Sequence, residues 1–262
     1  MKSTAVFWEL DFFSRPALDA NQKKIWELLI CNSDRSWQYR QICPPNQVNS
    51  EWLASQLQIA LASTTSPLKV RFFRPSMANM ITRGCKAVDL VPQVSRRLFT
   101  LRQWLQECYP QEGDLLPLEL NPQPMLQNLP DALVGDRWLI AHLPVAELSE
   151  AEQWQIDFGE RFSIGLEITG QIPGVIIYAR RALPLAAWMS GVDPVFVSFE
   201  QNYLVLDAGA DSRWRLAKID PGASPQALNF EQTKQAVQGI HFLAVQAKPE
   251  DQKFAGFWLL KS

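Results

Sequence analysis

The chain has 262 residues, of which 47% are hydrophobic and 20% are charged, and its net charge is −2. This composition supplies enough apolar surface for a packed core and excludes a chain that is disordered throughout. No uncharged apolar stretch reaches the ~20 residues that a membrane-spanning helix needs, so we expect no membrane span. The length allows one large domain or two smaller ones, and we favour two.

The beginning of the sequence and its cysteines bear on location and on metal binding. MKSTAVFWELDFF lacks both the apolar run of a secretory signal and the composition of an organellar transit peptide. The four cysteines form no C-x-x-C pair, and the chain has only two histidines. We therefore expect a cytoplasmic protein with free thiols, no cofactor and no metal site.

The first part of the chain predicts three strands, a helix and a fourth strand. AVFWELDFF, KKIWELLIC and SWQYRQI alternate or run apolar, whereas NSEWLASQLQIALAS has helical spacing. LKVRFF predicts the fourth strand, and PQVSRRLFTLRQWLQE predicts an amphipathic helix that begins at Pro92. Residues 1–110 are predicted to form an N-terminal domain.

A proline-rich stretch separates the two halves. Five prolines from Pro110 to Pro130 disfavour both helix and interior strand. We interpret residues 111–130 as a linker and residues 131–262 as a C-terminal domain. In that domain DRWLIAHLPV, SIGLEI and GVIIYA predict strands, and RALPLAAWMSG predicts a short helix that ends at Gly191.

The two halves contain a weak internal repeat. Residues 26–44 align with residues 203–221 without a gap at five positions, and each hairpin follows a strand and precedes a helix and a further strand. We predict an α/β (α+β) fold of two similar β-β-β-α-β domains. That order is typical of ribonuclease-H-like domains, and a related order occurs in restriction-nuclease-like domains. We interpret the pair as a ribonuclease-H-like duplication. The alternative is two independent hairpins that share Asp and Trp for reasons of turn geometry and packing.

A ribonuclease-H-like fold raises the alternative of a divergent metal-dependent nuclease. Glu9 and Asp11 lie two residues apart on the first predicted strand, and Glu51 lies in the first predicted helix. Two-metal hydrolysis needs a further acid at the end of the fourth strand. Arg71 and Arg74 stand there instead, so we favour a binding protein over an enzyme.

The basic side chains are concentrated in one segment. Residues 69–104 carry eight bases and one acid, a net charge of +7, whereas the other 226 residues carry 17 bases and 26 acids. Such segregation is typical of a surface that binds a polyanion, and arginine binds phosphate with two nitrogens. The predicted phosphate contacts are Lys69, Arg71, Arg74, Arg83, Lys86, Arg96, Arg97 and Arg102.

Three other residues of this segment are candidates for base contacts. Strand alternation places Lys69, Arg71 and Phe73 on one side, which makes Phe73 the predicted stacking ring and Phe72 a core residue. Ser76 and Asn79, in a predicted loop with Pro75 and Gly84, are candidate hydrogen-bonding groups for bases or phosphates. The alternative is that both rings are buried and the arginines lie on a solvated surface.

Several long, Trp-rich stretches carry a family resemblance. FWELDFFSRPALD, KKIWELLIC, RFFRPSMANMITRGCK, GDRWLI, RALPLAAWMSG, GIHFLAVQ and AGFWLL resemble the Tab-two (Atab-two) family of RNA-binding proteins of cyanobacteria and chloroplasts. The resemblance covers residues 5–260. It identifies no individual binding residue.

The resemblance implies a function in photosynthesis. It implies binding to A/U-rich single-stranded RNA in the 5′ untranslated region of a photosystem I messenger, with a role in translation and in biogenesis of photosystem I. Without a recognised transit peptide the chain is similar to a cyanobacterial member. Other assembly factors are candidate partners, and the competing hypothesis is a protein-interaction scaffold whose basic face meets an acidic partner or an anionic membrane surface.

Overall fold

The computed structural model describes residues 6–151, 153–162, 164, 168–200, 202–219, 222 and 224–262. The chain divides into two compact units, residues 1–119 and 120–262. The division lies within the predicted linker 111–130, which remains a prediction. In the described ranges, no helix is long and apolar enough to cross a bilayer.

The N-terminal unit is a five-stranded sheet with helices on both faces. Its strand order is β3-β2-β1-β4-β5; β1, β2 and β3 are antiparallel, and β4 and β5 run parallel to β1. This is the element order on which the ribonuclease-H-like prediction rests. The elements are β1 (Phe7–Leu18), β2 (Lys24–Asn32), β3 (Gln38–Cys43), α1 (Ser50–Ser63), β4 (Lys69–Phe72), α2 (Ala78–Lys86), β5 (Pro92–Val94) and α3 (Phe99–Cys108).

Alternation along β1 creates two different faces of this sheet. Trp8, Leu10 and Phe12 are fully buried in the apolar cluster that includes α1 and α2. Phe13 faces the other way, into a second cluster with side chains of α3 and of the segment that follows it. Both faces are therefore covered, one of them by α3.

Helices α1 and α2 pack closely against each other. Asn49 caps the start of α1, since its side chain accepts a hydrogen bond from the backbone nitrogen of Trp52 at 2.8 Å. Gly84 allows the close approach of α2, because a Cβ atom at that position would lie 2.9 Å from Leu53. The prediction of a loop around Ser76 and Asn79 is wrong, because residues 78–86 form a helix that buries Ile81 and Cys85.

The predicted helix start at Pro92 is also wrong. Residues 92–94 form the edge strand β5, which pairs with β4, and the helix α3 begins at Phe99. A strand of three residues is too short to show the two-residue period. Val94 fits the apolar stripe of the following helix, so the predicted helix began seven residues before α3 does.

The C-terminal unit contains two sheets, with strand orders β10-β11-β12-β6 and β7-β9-β13-β14-β8. One apolar cluster joins side chains of both sheets with α4 and with Phe230 of α5. Four residues of the predicted strand SIGLEI lie outside the described residues. The elements are β6 (Leu126–Asn128), β7 (Arg137–Pro144), β8 (Ile156–Glu160), β9 (Gln171–Tyr178), α4 (Ala182–Val192), β10 (Pro194–Glu200), β11 (Tyr203–Ala208), β12 (Ser212–Lys218), α5 (Ser224–Ala236), β13 (Ile240–Gln246) and β14 (Phe254–Lys261).

The mixed α/β fold is confirmed, and the two units share the predicted β-β-β-α-β order. They differ in where the last strand pairs: β4 lies beside β1, whereas β13 lies in the other sheet, between β9 and β14. β13 does not pair with β10, but His241 of β13 and Lys234 of α5 both contact the backbone of Val197 in β10. Its backbone nitrogen donates to Nε2 of His241 at 2.9 Å, and its carbonyl accepts from Nζ of Lys234 at 3.0 Å.

Candidate nucleic-acid interface

Three of the predicted phosphate-binding arginines lie inside the N-terminal unit. Arg71, Arg96 and Arg97 are only 2–3% exposed. The guanidinium carbon of Arg71 lies 4.1 Å from the centroid of the Phe7 ring, a cation–π contact. Direct contact of these three residues with RNA therefore requires that the covering segments move, and it stays a prediction.

Polar contacts at the first turn of α3 hold this helix over the sheet face that carries Glu9. The carboxylate of Glu9 on β1 accepts a hydrogen bond from the backbone nitrogen of Leu101 at 2.8 Å. The hydroxyl of Thr100 donates to the backbone carbonyl of Ser33 at 2.7 Å. Glu9 thus supplies a hydrogen-bond acceptor that the helix itself lacks, since Leu98 at its N-cap has no side-chain oxygen.

Two further arginines of the basic segment are bound to carboxylates. Arg74 donates to both oxygens of Asp11, at 2.8 and 2.6 Å, and to the backbone carbonyl of Leu115 at 2.8 Å. Burial raises the pKa of Asp11, and the hydrogen bonds from Arg74 oppose that rise. Arg102 donates to both oxygens of Asp114, at 3.3 and 2.5 Å. A phosphate would have to replace these carboxylates.

Lys69 and the predicted stacking ring are partly covered. Phe72 is a core residue, 1% exposed, as expected from strand alternation. Phe73 is half-buried and packs against the apolar cluster under α3, together with Leu98 and Leu101. Base stacking on Phe73 stays a prediction, and it would have to use the exposed part of a ring that already has apolar neighbours.

Four of the predicted residues share an exposed surface on α2. Asn79, Arg83 and Lys86 are spaced i, i+4 and i+7, which places them on one face of the helix, and all three are exposed. Ser76, also exposed, lies just before the helix. We call these four residues the α2 polar face. Helix α2 contains no acid, so its cations lack a carboxylate on their own helix.

The carboxylates required by the nuclease hypothesis lie apart. Glu9 and Asp11 are buried and bound by backbone or by arginine, whereas Glu51 is exposed in the first turn of α1. Among the described residues, no group of three or more His, Cys, Asp or Glu side chains is arranged to hold a metal ion. Arg74 takes the position at which that hypothesis requires another acid.

A third buried carboxylate of the same sheet, Glu27, is also bound by several donors. Glu27 accepts two hydrogen bonds from Arg15, at 3.1 and 2.6 Å, one from Arg40 at 2.5 Å and one from the Tyr109 hydroxyl. Burial opposes ionisation of Glu27, but these donors outweigh it and hold its pKa below the ordinary value. Burial and the bond to Glu27 raise the pKa of Tyr109 to about 12.

Both halves of the chain match models of one protein family. Residues 7–108 match the N-terminal model, and residues 116–261 the C-terminal domain model, of "RNA-binding protein Tab2/Atab2". The chain belongs to the Tab2/Atab2 family of RNA-binding proteins. The family resemblance drawn from the sequence is confirmed.

Two plant relatives in this family are similar over most of their length. The protein TAB2 homolog, chloroplastic, of Arabidopsis thaliana is 36% identical over 280 residues, covering 97% of this chain and 74% of the relative. The protein of the same name in Zea mays is 35% identical over 275 residues, covering 97% and 70%. The prediction of a cytoplasmic location is wrong, because these relatives of the Tab2/Atab2 family are named as chloroplastic proteins.

Likeness to solved structures is weak. The magnesium-bound integrase catalytic core domain of HTLV-2 has a TM-score of 0.28 and 14% identity, covering 43% of this chain and 75% of that chain. The intasome of simian T-cell lymphotropic virus with the PP2A subunit B56 gamma has a TM-score of 0.27 and 13% identity, covering 42% and 43%. TM-scores this low support no conclusion about function.

Proposed function

We propose that this protein binds single-stranded RNA without cleaving it, and that the α2 polar face is the phosphate-binding surface. The observation that carries the proposal is the exposed arrangement of Arg83 and Lys86 with Asn79 on a helix without acids. Cations reach phosphate from such a face without breaking an internal ion pair, and exposed amide and hydroxyl groups add hydrogen bonds. Membership of an RNA-binding family supports the same assignment.

The other predicted contacts form a second set in the proposal. Lys69, Arg74 and Arg102 keep part of their surface exposed and are proposed as additional phosphate contacts. Phe73 contributes its exposed ring surface there. Arg71, Arg96 and Arg97 join it only in a state in which the residues that bury them have moved.

The proposed ligand is the A/U-rich 5′ untranslated region of a photosystem I messenger. In this proposal the protein promotes translation of that messenger and biogenesis of photosystem I, together with other assembly factors. The support is the family resemblance, since no contact described above selects one base over another. Substituting the messenger's A/U tracts with C tracts in a binding assay tests this finer part.

The salt dependence of RNA binding tests the surface itself. Arg83→Gln with Lys86→Gln removes two phosphate contacts, so the slope of log affinity against log salt concentration should fall by about 1.4 for a single strand. Lys23→Gln with Lys24→Gln is the matched control, because it removes two exposed cations elsewhere in the same unit. The assay is fluorescence anisotropy of a labelled oligouridylate at several salt concentrations.

The two variants give a clear decision. A reduced slope in the α2 variant and an unchanged slope in the control support the proposed surface. Equal slopes in the wild type and the α2 variant would reject it, and the interface would then have to lie elsewhere.

A further inference from the structure

Three aromatic rings form a column in the N-terminal unit that reaches its edge. Trp8 stacks on Trp37 with centroids 5.0 Å apart and an interplanar angle of 21°. Trp37 is followed by Tyr39 at 6.3 Å with an angle of 14°. Trp8 is fully buried, whereas Trp37 and Tyr39 are only half-buried. Trp37 immediately precedes the edge strand β3, and Tyr39 lies in its first half. The column therefore runs from the core towards solvent.

Hydrogen bonds to side chains of α1 fix the two outer rings. The Tyr39 hydroxyl donates to Oε1 of Gln56 at 2.7 Å, and Nε1 of Trp37 donates to Oγ of Ser63 at 3.2 Å. A ring whose orientation is already fixed loses little conformational entropy when a planar ligand stacks on it. Gln41, the next residue of β3 on the same side as Tyr39, is exposed and supplies an uncharged amide.

The surface between this column and the α2 polar face carries little negative charge. Helix α1 bonds to Tyr39 through Gln56 and packs on α2 where Gly84 meets Leu53. Its only acid, Glu51, lies in its first turn. The five strands beneath span about 20 Å from β3 to β5, because neighbouring strands are about 4.8 Å apart. A single strand of RNA crossing α1 would thus meet no row of carboxylates.

We infer that Tyr39, supported by Trp37 and Trp8, is a stacking site for a base of single-stranded RNA whose phosphates lie on the α2 polar face. The ligand class is an unpaired nucleobase, which continues the column as a fourth ring. Aromatic rings on exposed strands bind unpaired bases in this way. Gln41 lies about 6.6 Å along the strand from Tyr39, because two residues on one side of a strand are separated by that distance. The inference rests on the proposed function, because it assigns a second subsite to the same RNA.

Substitution of Tyr39 separates stacking from charge. Tyr39→Ala should weaken binding of a labelled oligouridylate by roughly 5- to 160-fold, the range for one stacked base. Its salt slope should equal that of the wild type, because no phosphate contact is lost. Tyr39→Phe keeps the ring and should bind within about twofold of the wild type, which shows that the ring and not the hydroxyl is required.

Each outcome has a distinct meaning. If Tyr39→Ala binds like the wild type while the Arg83 and Lys86 variant loses slope, the stacking site is rejected and the proposed function stands. If neither variant differs from the wild type, both are rejected. Photo-cross-linking of RNA containing 4-thiouridine to the unaltered protein covers the case in which Tyr39→Ala does not fold: an adduct on the tryptic peptide 36–40 supports the site, and its absence while other peptides are labelled overturns it.

Discussion

Arg74 and Asp11 form a bidentate ion pair, with N···O distances of 2.8 and 2.6 Å. Asp11 lies on β1, and Arg74 follows β4, its parallel neighbour in the sheet. The pair therefore joins positions 63 residues apart in the sequence. Arg74, which the sequence suggests as a phosphate ligand, thus links the end of β4 to β1.

We expect Arg74→Ala to lower the free energy of unfolding by about 3 kcal/mol. Asp11 is fully buried and would be left without its charged partner, and a buried charge left unpaired costs about 3–5 kcal/mol, reduced here because Arg74 keeps 23% of its side-chain surface exposed. The measurement is urea denaturation of the full chain.

Arg102→Ala is the matched control for that prediction. Its ion pair with Asp114 is 39% and 37% exposed, and exposed pairs contribute about 0–1 kcal/mol. Equal losses of stability in the two variants would contradict the structural role given to Arg74.

The buried Glu27 makes stability depend on pH in the acid range. Its pKa lies below its ordinary value of 4.5, so its ionised form is favoured by folding. The stabilisation is complete above about pH 4.5 and decreases as the pH falls through the lowered pKa. Glu27→Gln should therefore be less stable than the wild type at neutral pH by about 2 kcal/mol, in the range for lost hydrogen bonds between charged groups, and the difference should shrink below pH 4.5.

The comparison is made by chemical denaturation of both proteins between neutral and acid pH. A difference in stability that stays constant over the whole range would show that the loss comes from packing and not from the charge of Glu27.

Replacing a glycine inside a helix with alanine usually raises stability, but we expect Gly84→Ala to lower it. Alanine there would place Cβ 2.9 Å from the buried Leu53, and overpacking costs about 1–3 kcal/mol, more than the ~1 kcal/mol that alanine gains in helix propensity. At Gly191 of α4 a Cβ atom would meet no neighbour within 4 Å, so Gly191→Ala should be neutral or stabilising by up to about 1 kcal/mol. Thermal unfolding distinguishes the two, and a stabilised Gly84→Ala would contradict the close packing of α1 and α2.

Long periodic segments of the sequence predicted their elements well. The apolar runs of β1 and β2 and the helical spacing of α1 are read correctly because each is long enough to show its period. Helix α2 was missed because Pro75 and Gly84 resemble turn signals, whereas Pro75 only precedes the helix and Gly84 serves close packing inside it. Strand β5 was missed because three residues show no period.

The candidate site was predicted as a set of charges but not as a surface. Net charge along residues 69–104 does not reveal that Asp11 and Asp114, which lie outside that segment, bind two of its arginines. Burial of Arg71 depends on tertiary packing: Arg71 pairs with Glu9 in the register of β1 and β4, and its guanidinium lies over the Phe7 ring. The helical spacing of Asn79, Arg83 and Lys86 is present in the sequence, and recognition of α2 as a helix would have grouped them.

The contact between His241 and Val197 fixes the chemistry of that imidazole. Nε2 accepts a hydrogen bond from the backbone nitrogen of Val197, and Nδ1 lies 2.8 Å from the carbonyl of Gly239, so the ring is the neutral tautomer with hydrogen on Nδ1. Neither nitrogen then keeps a lone pair for a substrate, which excludes the ring in this arrangement as a proton shuttle. The neutral ring thereby joins β13 to β10, two strands of different sheets, without placing a charge at this buried contact.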